Sequence, residues 1–176
     1  MKNQAFTLIE ILVVVLIIGI LTSIAVPQYQ KTIDKSRYTQ LTLLTKAIVD
    51  DISMAVIVGQ EPNKFNNLDI TLPDDCSLSK SGSSLYCEDN NIYCLITMDE
   101  NHIWPRCEDI KLQITDMYTL RRSTGSIFRR YCYAHTADIN DRANKLCKEV
   151  SGNQDFFTER ITTYKGGISA NAYIFK

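Results

Sequence analysis

The feature that most constrains this chain is an apolar run from Phe6 to Val26, which is long enough to cross a membrane. It carries one carboxylate, Glu10, near its start, and a short segment, Met1 to Ala5, precedes it. An unpaired carboxylate in hydrocarbon costs about 2.5–3.5 kcal/mol on the helix-insertion scale. Glu10 is therefore predicted to be functional, and we expect a positive group created elsewhere to pair with it.

The segment from Phe6 to Gln30, FTLIEILVVVLIIGILTSIAVPQYQ, resembles the N-terminus of type IV pilins and pseudopilins, most of all that of type IVa major pilin precursors. The resemblance implies that a membrane peptidase removes a leader, residues 1–5, by cutting between Ala5 and Phe6. It also implies that the new amine of Phe6 is then methylated. Glu10 would pair with the terminal amine of a neighbouring subunit during assembly. Most members have Gly before the cut, where this chain has Ala5.

Two alternatives of other classes stay open. A secretory signal would need a shorter apolar core and a small-residue cleavage site, for which Thr22 to Ala25 is the available stretch. The core is long for such a signal, and Pro27 would lie close to the cut. A signal-anchored membrane protein with a disulfide-bonded ectodomain is the other alternative.

Among pilin-like proteins, Val26 to Gln30 resembles major pilins more than secretion pseudopilins. A minor pilin or a type II secretion pseudopilin is the open alternative here. The resemblance implies three partners: other copies of this chain in a helical filament, the prepilin peptidase and methyltransferase, and the inner-membrane pilus assembly platform. Adhesion, twitching motility and DNA uptake are the processes that such a filament would serve.

Helical periodicity continues beyond the apolar run and predicts one helix from Phe6 to Val58. Its first part, residues 6–26, would span the membrane or form the filament core, and residues 27–58 would be amphipathic. We expect Pro27 to kink or loosen the helix, and Gly59 to end it. A globular head would follow over residues 59–176. The apolar positions of the second part are Ile33, Leu41, Leu44, Ile48, Ile52 and Val56.

Charge and cysteine content disagree about the side of the membrane on which the head lies. Lys31, Lys35 and Arg37 outnumber Lys2, which by itself would keep the C-terminal side in the cytoplasm. All 6 cysteines lie beyond the helix, however, and their number favours an oxidising compartment. We therefore expect a single-pass precursor in the inner membrane with an outward-facing head, and later an extracellular filament.

Local patterns rank the disulfide pairings. A helix predicted to begin at Asp138 turns Cys147 towards a strand that carries Cys132, which favours that pair and closes a loop of about 15 residues. A two-residue turn at Asn90 and Asn91 would place Cys87 opposite Cys94 and leave Cys76 with Cys107. The alternative, Cys76–Cys87 with Cys94–Cys107, stays open.

The head is predicted to be a small antiparallel sheet on which the long helix packs, giving an α+β fold, as the resemblance also implies. Residues 110–115 alternate between apolar and polar, as expected for a strand with one solvent-exposed face. Residues 91–98 are apolar on both faces and favour a central strand. Further candidate strands are 117–120, 127–134 and 173–175.

An enzyme is not expected, and neither a cofactor nor a metal site is predicted. His102, in a predicted loop, and His135 are the histidines of this chain. A Cys–His hydrolase needs a free thiolate, whereas the even cysteine set predicts none. The sequence has no Gly-rich phosphate loop, no paired metal histidines and no Gly-x-Ser-x-Gly elbow.

The charges are distributed unevenly along the chain. Residues 47–116 carry 4 basic and 13 acidic side chains, and residues 117–176 carry 10 basic and 5 acidic ones. Separate patches of opposite sign would guide the register between subunits; even mixing over a solvated surface is the competing interpretation. Arginines 121, 122, 129 and 130, close to several aromatic residues, also suggest a DNA-binding surface. In strands, however, adjacent arginines point to opposite faces.

Overall fold

The computed structural model describes residues 7–176, and the chain divides into two compact units, residues 1–36 and 37–176. The predicted cleavage pair, Ala5 and Phe6, lies outside the described residues. Helix α1, Leu8–Ile57, continues through Pro27 without a break, and the kink at Pro27 stays a prediction. In the first unit, residues 7–33 are all solvent-exposed although most are apolar.

In the second unit, the rest of α1 packs on an antiparallel sheet and confirms the predicted α+β fold. The buried side chains of α1 recur every three to four residues, because one face of the helix is turned to the sheet. Thr45, which lies on this face, donates its hydroxyl to the carbonyl of Leu41 at 2.7 Å and so is satisfied locally. The buried apolar residues of this face are Tyr38, Leu41, Ile48, Val49, Ile52 and Ala55.

The sheet has eight strands, all antiparallel to their neighbours, in the order β1-β2-β3-β4-β5-β6-β8-β7. A second helix, α2, Arg142–Ser151, lies between β6 and β7 in the chain and packs on β6 and β8. The strands are β1 Cys76–Leu78, β2 Ser84–Cys87, β3 Ile92–Met98, β4 His102–Asp109, β5 Ile114–Arg121, β6 Ile127–Ala134, β7 Phe157–Thr163 and β8 Gly166–Ile174.

Strand register decides two of the three disulfides. Cys76 lies opposite Cys87, and Cys94 lies opposite Cys107, and each pair is bonded. The predicted pairs Cys87–Cys94 and Cys76–Cys107 are therefore wrong, and the alternative that the sequence left open is the one observed. The turn between β2 and β3 holds four residues, 88–91, rather than two, so Cys87 faces Ile92 instead of Cys94.

The third disulfide joins Cys132 on β6 to Cys147 on α2, the pair favoured by the sequence. The predicted start of α2 at Asp138 is wrong, however. Its N-cap is Asp141, whose side chain accepts a hydrogen bond from the Ala143 amide at 2.9 Å, and not Asp138. Gly152, with φ of 66°, ends the helix.

Residues 110–113 form a turn, so the strand predicted over 110–115 is wrong for these four residues, whereas Ile114 and Thr115 begin β5. Asp109 holds this turn, because its carboxylate accepts from the amides of Lys111 and Leu112, both at 2.9 Å. Leu112 is buried although it lies in the turn and not in a strand. Its apolar side chain is the reason that residues 110–115 alternate between apolar and polar. His102 begins β4 and does not lie in a loop.

The two faces of the sheet have different cover. The inner face packs on α1 and α2. On the outer face, the β7–β8 hairpin folds back, and its tip residue Tyr164 lies 5.3 Å from both Tyr86 of β2 and Tyr93 of β3, between ring centroids. The Tyr164 amide also donates to the carboxylate of Glu108 on β4 at 3.0 Å. The hairpin thus forms a partial second layer over the sheet.

Candidate assembly site

The described N-terminal residues form a capping box at the start of α1. The Glu10 carboxylate accepts from the Thr7 amide at 2.8 Å and from the Thr7 hydroxyl at 2.7 Å, and the Glu10 amide donates to that hydroxyl at 3.4 Å. Glu10 is thereby held against the first turn by its own chain. The sequence singled out Glu10 but missed Thr7, although the spacing Thr-x-x-Glu is a recognised helix-start pattern.

Glu10 lies at the beginning of a long apolar surface. Among the described residues, the helix Leu8–Ile57 is the one long and apolar enough to cross a membrane. Residues such as Leu12 and Ile20 are more than half exposed on this helix. Apolar side chains on all sides of a helix indicate surroundings of lipid or of other protein.

Within the second unit, two arginine–carboxylate pairs join α1 to the sheet. Arg37 donates to Asp109 from Nε at 2.9 Å and from Nη2 at 3.0 Å, and Asp109 is 1% exposed. Arg130 on β6 donates to Asp116 on β5 and also to Thr42 of α1. Bidentate pairs of this type fix the relative orientation of the two side chains and also neutralise the buried carboxylate.

The two histidines lie in different surroundings. His135 Nε2 lies 2.7 Å from the Thr115 hydroxyl, and burial lowers the pKa of His135 to about 4, so the ring is neutral at pH 7. His102 stacks loosely beside Trp104, with ring centroids 5.9 Å apart. Every cysteine of the described residues is in a disulfide.

One group of side chains has the spacing of metal ligands. The carboxylate of Asp75 and the sulfurs of Cys76 and Cys87 lie within 4.8 Å of one another. The two sulfurs are bonded to each other, so they are not available as thiolate ligands.

Known proteins match part of this chain. The prokaryotic N-terminal methylation motif matches residues 1–26. This N-terminus is similar to that of type IV pilins. A fimbrial protein of Pseudomonas aeruginosa is 37% identical over 90 residues, which are 48% of this chain and 58% of that protein. The type IV major fimbrial protein FimA of Dichelobacter nodosus is 35% identical over 83 residues, 47% of this chain and 46% of FimA. The type IV major alpha-pilin of Moraxella bovis is 35% identical over 83 residues, 47% of each chain.

These matches confirm the resemblance predicted from Phe6 to Gln30. The chain spans about half the length of the curated relatives it matches, and no solved structure matches it. The relatives are named as fimbrial proteins rather than as enzymes, which agrees with the expectation of a non-enzyme. Among these matches, the methylation motif is the one located on the chain, at residues 1–26.

Proposed function

We propose that this chain is the precursor of a structural subunit of a type IV pilus. The observation that carries the proposal is the methylation motif on residues 1–26, combined with a carboxylate, Glu10, fixed at the start of an exposed apolar helix. The names of the similar fimbrial proteins support the same interpretation. The protein has no chemistry of its own under this proposal.

Maturation follows from the motif. The prepilin peptidase removes residues 1–5 by cutting between Ala5 and Phe6 and methylates the Phe6 amine. The helix predicted over residues 6–58 then leaves the bilayer and packs with its copies, while residues 59–176 form the head. Glu10 pairs with the amine of a neighbouring subunit, which compensates the cost of a carboxylate in an apolar core.

Location and partners follow from the same steps. The precursor is a single-pass protein of the inner membrane with its head outside, where its disulfides form. The assembly platform of that membrane extracts it, and the final form is a helical filament outside the cell. The predicted kink at Pro27 would adjust the helix to its neighbours in this filament.

The test combines processing with assembly. Mass spectrometry of protein sheared from cells should give a terminus at Phe6 that carries one methyl group. Glu10→Ala should give cleaved, membrane-retained protein with few or no fibres. Glu100→Ala removes an exposed carboxylate from the β3–β4 turn, and as the matched control it should leave fibres normal. A terminus at Met1 or after Ala25, or normal fibres from Glu10→Ala, contradicts the proposal.

The second candidate is a minor pilin or a type II secretion pseudopilin. It shares the motif and the predicted cleavage, so abundance separates the two. A major pilin should dominate the sheared fraction, whereas a minor pilin or pseudopilin should be a trace component of it.

A further inference from the structure

The fold separates the four neighbouring arginines that the sequence singled out. Arg130 is occupied by its ion pair on the inner face, and Arg122 pairs with Glu61 at 3.0 Å. Arg121 and Arg129 are exposed, and in the part of the chain that the structure describes they form no ion pair. Two guanidinium groups therefore remain available on one part of the sheet.

These two arginines flank one aromatic ring. The Cζ atoms of Arg121 and Arg129 lie 5.6 and 5.3 Å from the centroid of Phe128, and Phe128 is 50% exposed. The β5–β6 register shifts between Thr119 and Leu120, where Phe128 is the residue without a cross-strand partner. A bulge of this kind re-aims a side chain, which here presents the ring to solvent.

Two further rings extend the site on the outer face. His102, which pairs with Arg121 across the β4–β5 ladder, lies 6.1 Å from Phe128 between ring centroids. Trp104 follows on the same face of β4, 5.9 Å from His102. The outer-face cluster is defined as Arg121, Arg129, Phe128, His102 and Trp104.

We propose that the outer-face cluster binds single-stranded nucleic acid. A guanidinium stacked on a ring keeps its N–H edge free for phosphate oxygens and loses little freedom on binding. A half-exposed ring between two such groups offers a stacking surface for an unpaired base. An acidic polysaccharide would satisfy the charges, and its sugar rings can pack on an aromatic face, but an unpaired base offers a flat π surface for stacking. A duplex keeps its bases stacked inside.

The surroundings limit the strength of binding. The whole chain has a net charge of −1, and the Asp99 carboxylate lies 4.0 Å from His102 Nδ1, at the edge of the outer-face cluster. The two arginines therefore attract a polyanion, while Asp99 and the net charge of the protein repel it. We expect a monomer to bind weakly, with an affinity that falls as salt is added. Each phosphate contact with a single strand contributes about −0.7 to the slope of log K against log salt, so two contacts should give a slope near −1.4.

The experiment uses the full chain in nonionic detergent and a fluorescent oligothymidylate of about 20 nucleotides, followed by anisotropy over a salt series. Arg121→Gln with Arg129→Gln should weaken binding by about tenfold or more at low salt and remove most of the salt slope. Phe128→Leu should weaken binding by about fivefold or more and leave the slope unchanged. Thermal unfolding should match wild type in both cases.

The matched control is Lys80→Gln with Lys145→Gln, which removes the same charge from exposed positions elsewhere. It should change the affinity by less than about twofold. The proposal is overturned if wild type does not bind at low salt, or if the control loses as much affinity as the arginine pair. It is also overturned if heparin or duplex DNA competes as strongly per charge as the oligothymidylate. Because the assay uses monomers, its outcome does not depend on whether the chain forms a pilus.

Discussion

Arg130 holds the buried carboxylate of Asp116 from two sides, with Nε 3.0 Å from Oδ1 and Nη2 3.1 Å from Oδ2. The same Nη2 donates to the Thr42 hydroxyl of α1 at 3.1 Å, and the guanidinium Cζ lies 4.0 Å from the ring centroid of Phe175. Asp116 is 0% exposed. One ion pair thus joins α1, two central strands and the C-terminal end of the chain.

Arg130→Met should lower the free energy of unfolding by about 3 kcal/mol, because it leaves the Asp116 charge buried without a partner. The measurement is urea unfolding of the full chain in detergent, followed by near-ultraviolet circular dichroism. Asp116→Asn combined with Arg130→Met should recover part of the loss, since no unpaired charge then remains.

Arg129→Met is the matched control for this pair. Arg129 is the preceding residue of β6, carries the same side chain and is exposed, so we expect its unfolding free energy to lie within about 0.5 kcal/mol of wild type. Equal losses from Arg129→Met and Arg130→Met would contradict the structural role of the ion pair.

The pattern of apolar residues along the sequence predicted those helices and strands for which the local conformational preference agrees with the packing in the folded protein. The second part of the long helix has periodic apolar positions, whereas β6 at Ile127–Ala134 and the central strand over residues 92–98 are rich in apolar and aromatic residues, and the structure has all three. Residues 110–115 alternate as well, but there Asp109 caps a turn and Leu112 fills the core from outside a strand. A period of two does not distinguish these arrangements.

The site was predictable only where its residues are close in sequence. Glu10 is evident from a single carboxylate in an apolar run, but pairs such as Asp116–Arg130 and Glu108–Tyr164 depend on strand register and on the folding back of a hairpin. Register likewise decided the Cys76–Cys87 and Cys94–Cys107 bonds. Turn length sets register, and a four-residue turn where two residues were expected changed the pairing.

Peptide mapping without reduction tests the disulfides. The expected linked peptides contain Cys76–Cys87, Cys94–Cys107 and Cys132–Cys147. A peptide that links Cys87 to Cys94 would contradict the register of β2 and β3. Replacing Cys132 and Cys147 together by serine should cost about 3 kcal/mol, because the bond closes a loop of 15 residues in the unfolded chain.

Thr7→Val should reduce fibre yield, though less than Glu10→Ala does. The valine keeps the branched shape but removes the hydroxyl that binds the Glu10 carboxylate, and loss of a helix cap costs about 1 kcal/mol. The carboxylate itself remains available to a neighbouring subunit. Thr7→Ser restores the hydroxyl and should give near-normal fibres by quantitative shearing. Equal yields from Thr7→Val and wild type would show that the capping box does not contribute to assembly.

The pH dependence of stability should reveal Glu108, which is 5% exposed beneath the β7–β8 hairpin. Burial raises the pKa of Glu108 to about 7, against the opposing effects of the Tyr164 amide, Arg106 and Lys165. The folded state therefore holds the proton more tightly than the unfolded state, whose pKa is 4.5. The contribution of the protonated Glu108 to the free energy of unfolding is complete below pH 4.5 and is lost as the pH rises to about 7.

Glu108→Gln keeps an oxygen for the Tyr164 amide but never buries a charge, so it should be more stable than wild type at pH 8, by about 3 kcal/mol. Burial lowers the pKa of His135 to about 4, so His135 makes the stability of the protein rise with pH, opposite to the effect of Glu108. Wild type and Glu108→Gln both contain His135, so the two must be compared with each other at each pH. Their difference in unfolding free energy should grow from pH 5 to 7 and then stay constant. Glu100→Gln, at an exposed turn, should show no such growth. A constant difference from pH 5 to 8 would mean that the Glu108 carboxyl does not titrate beneath the hairpin.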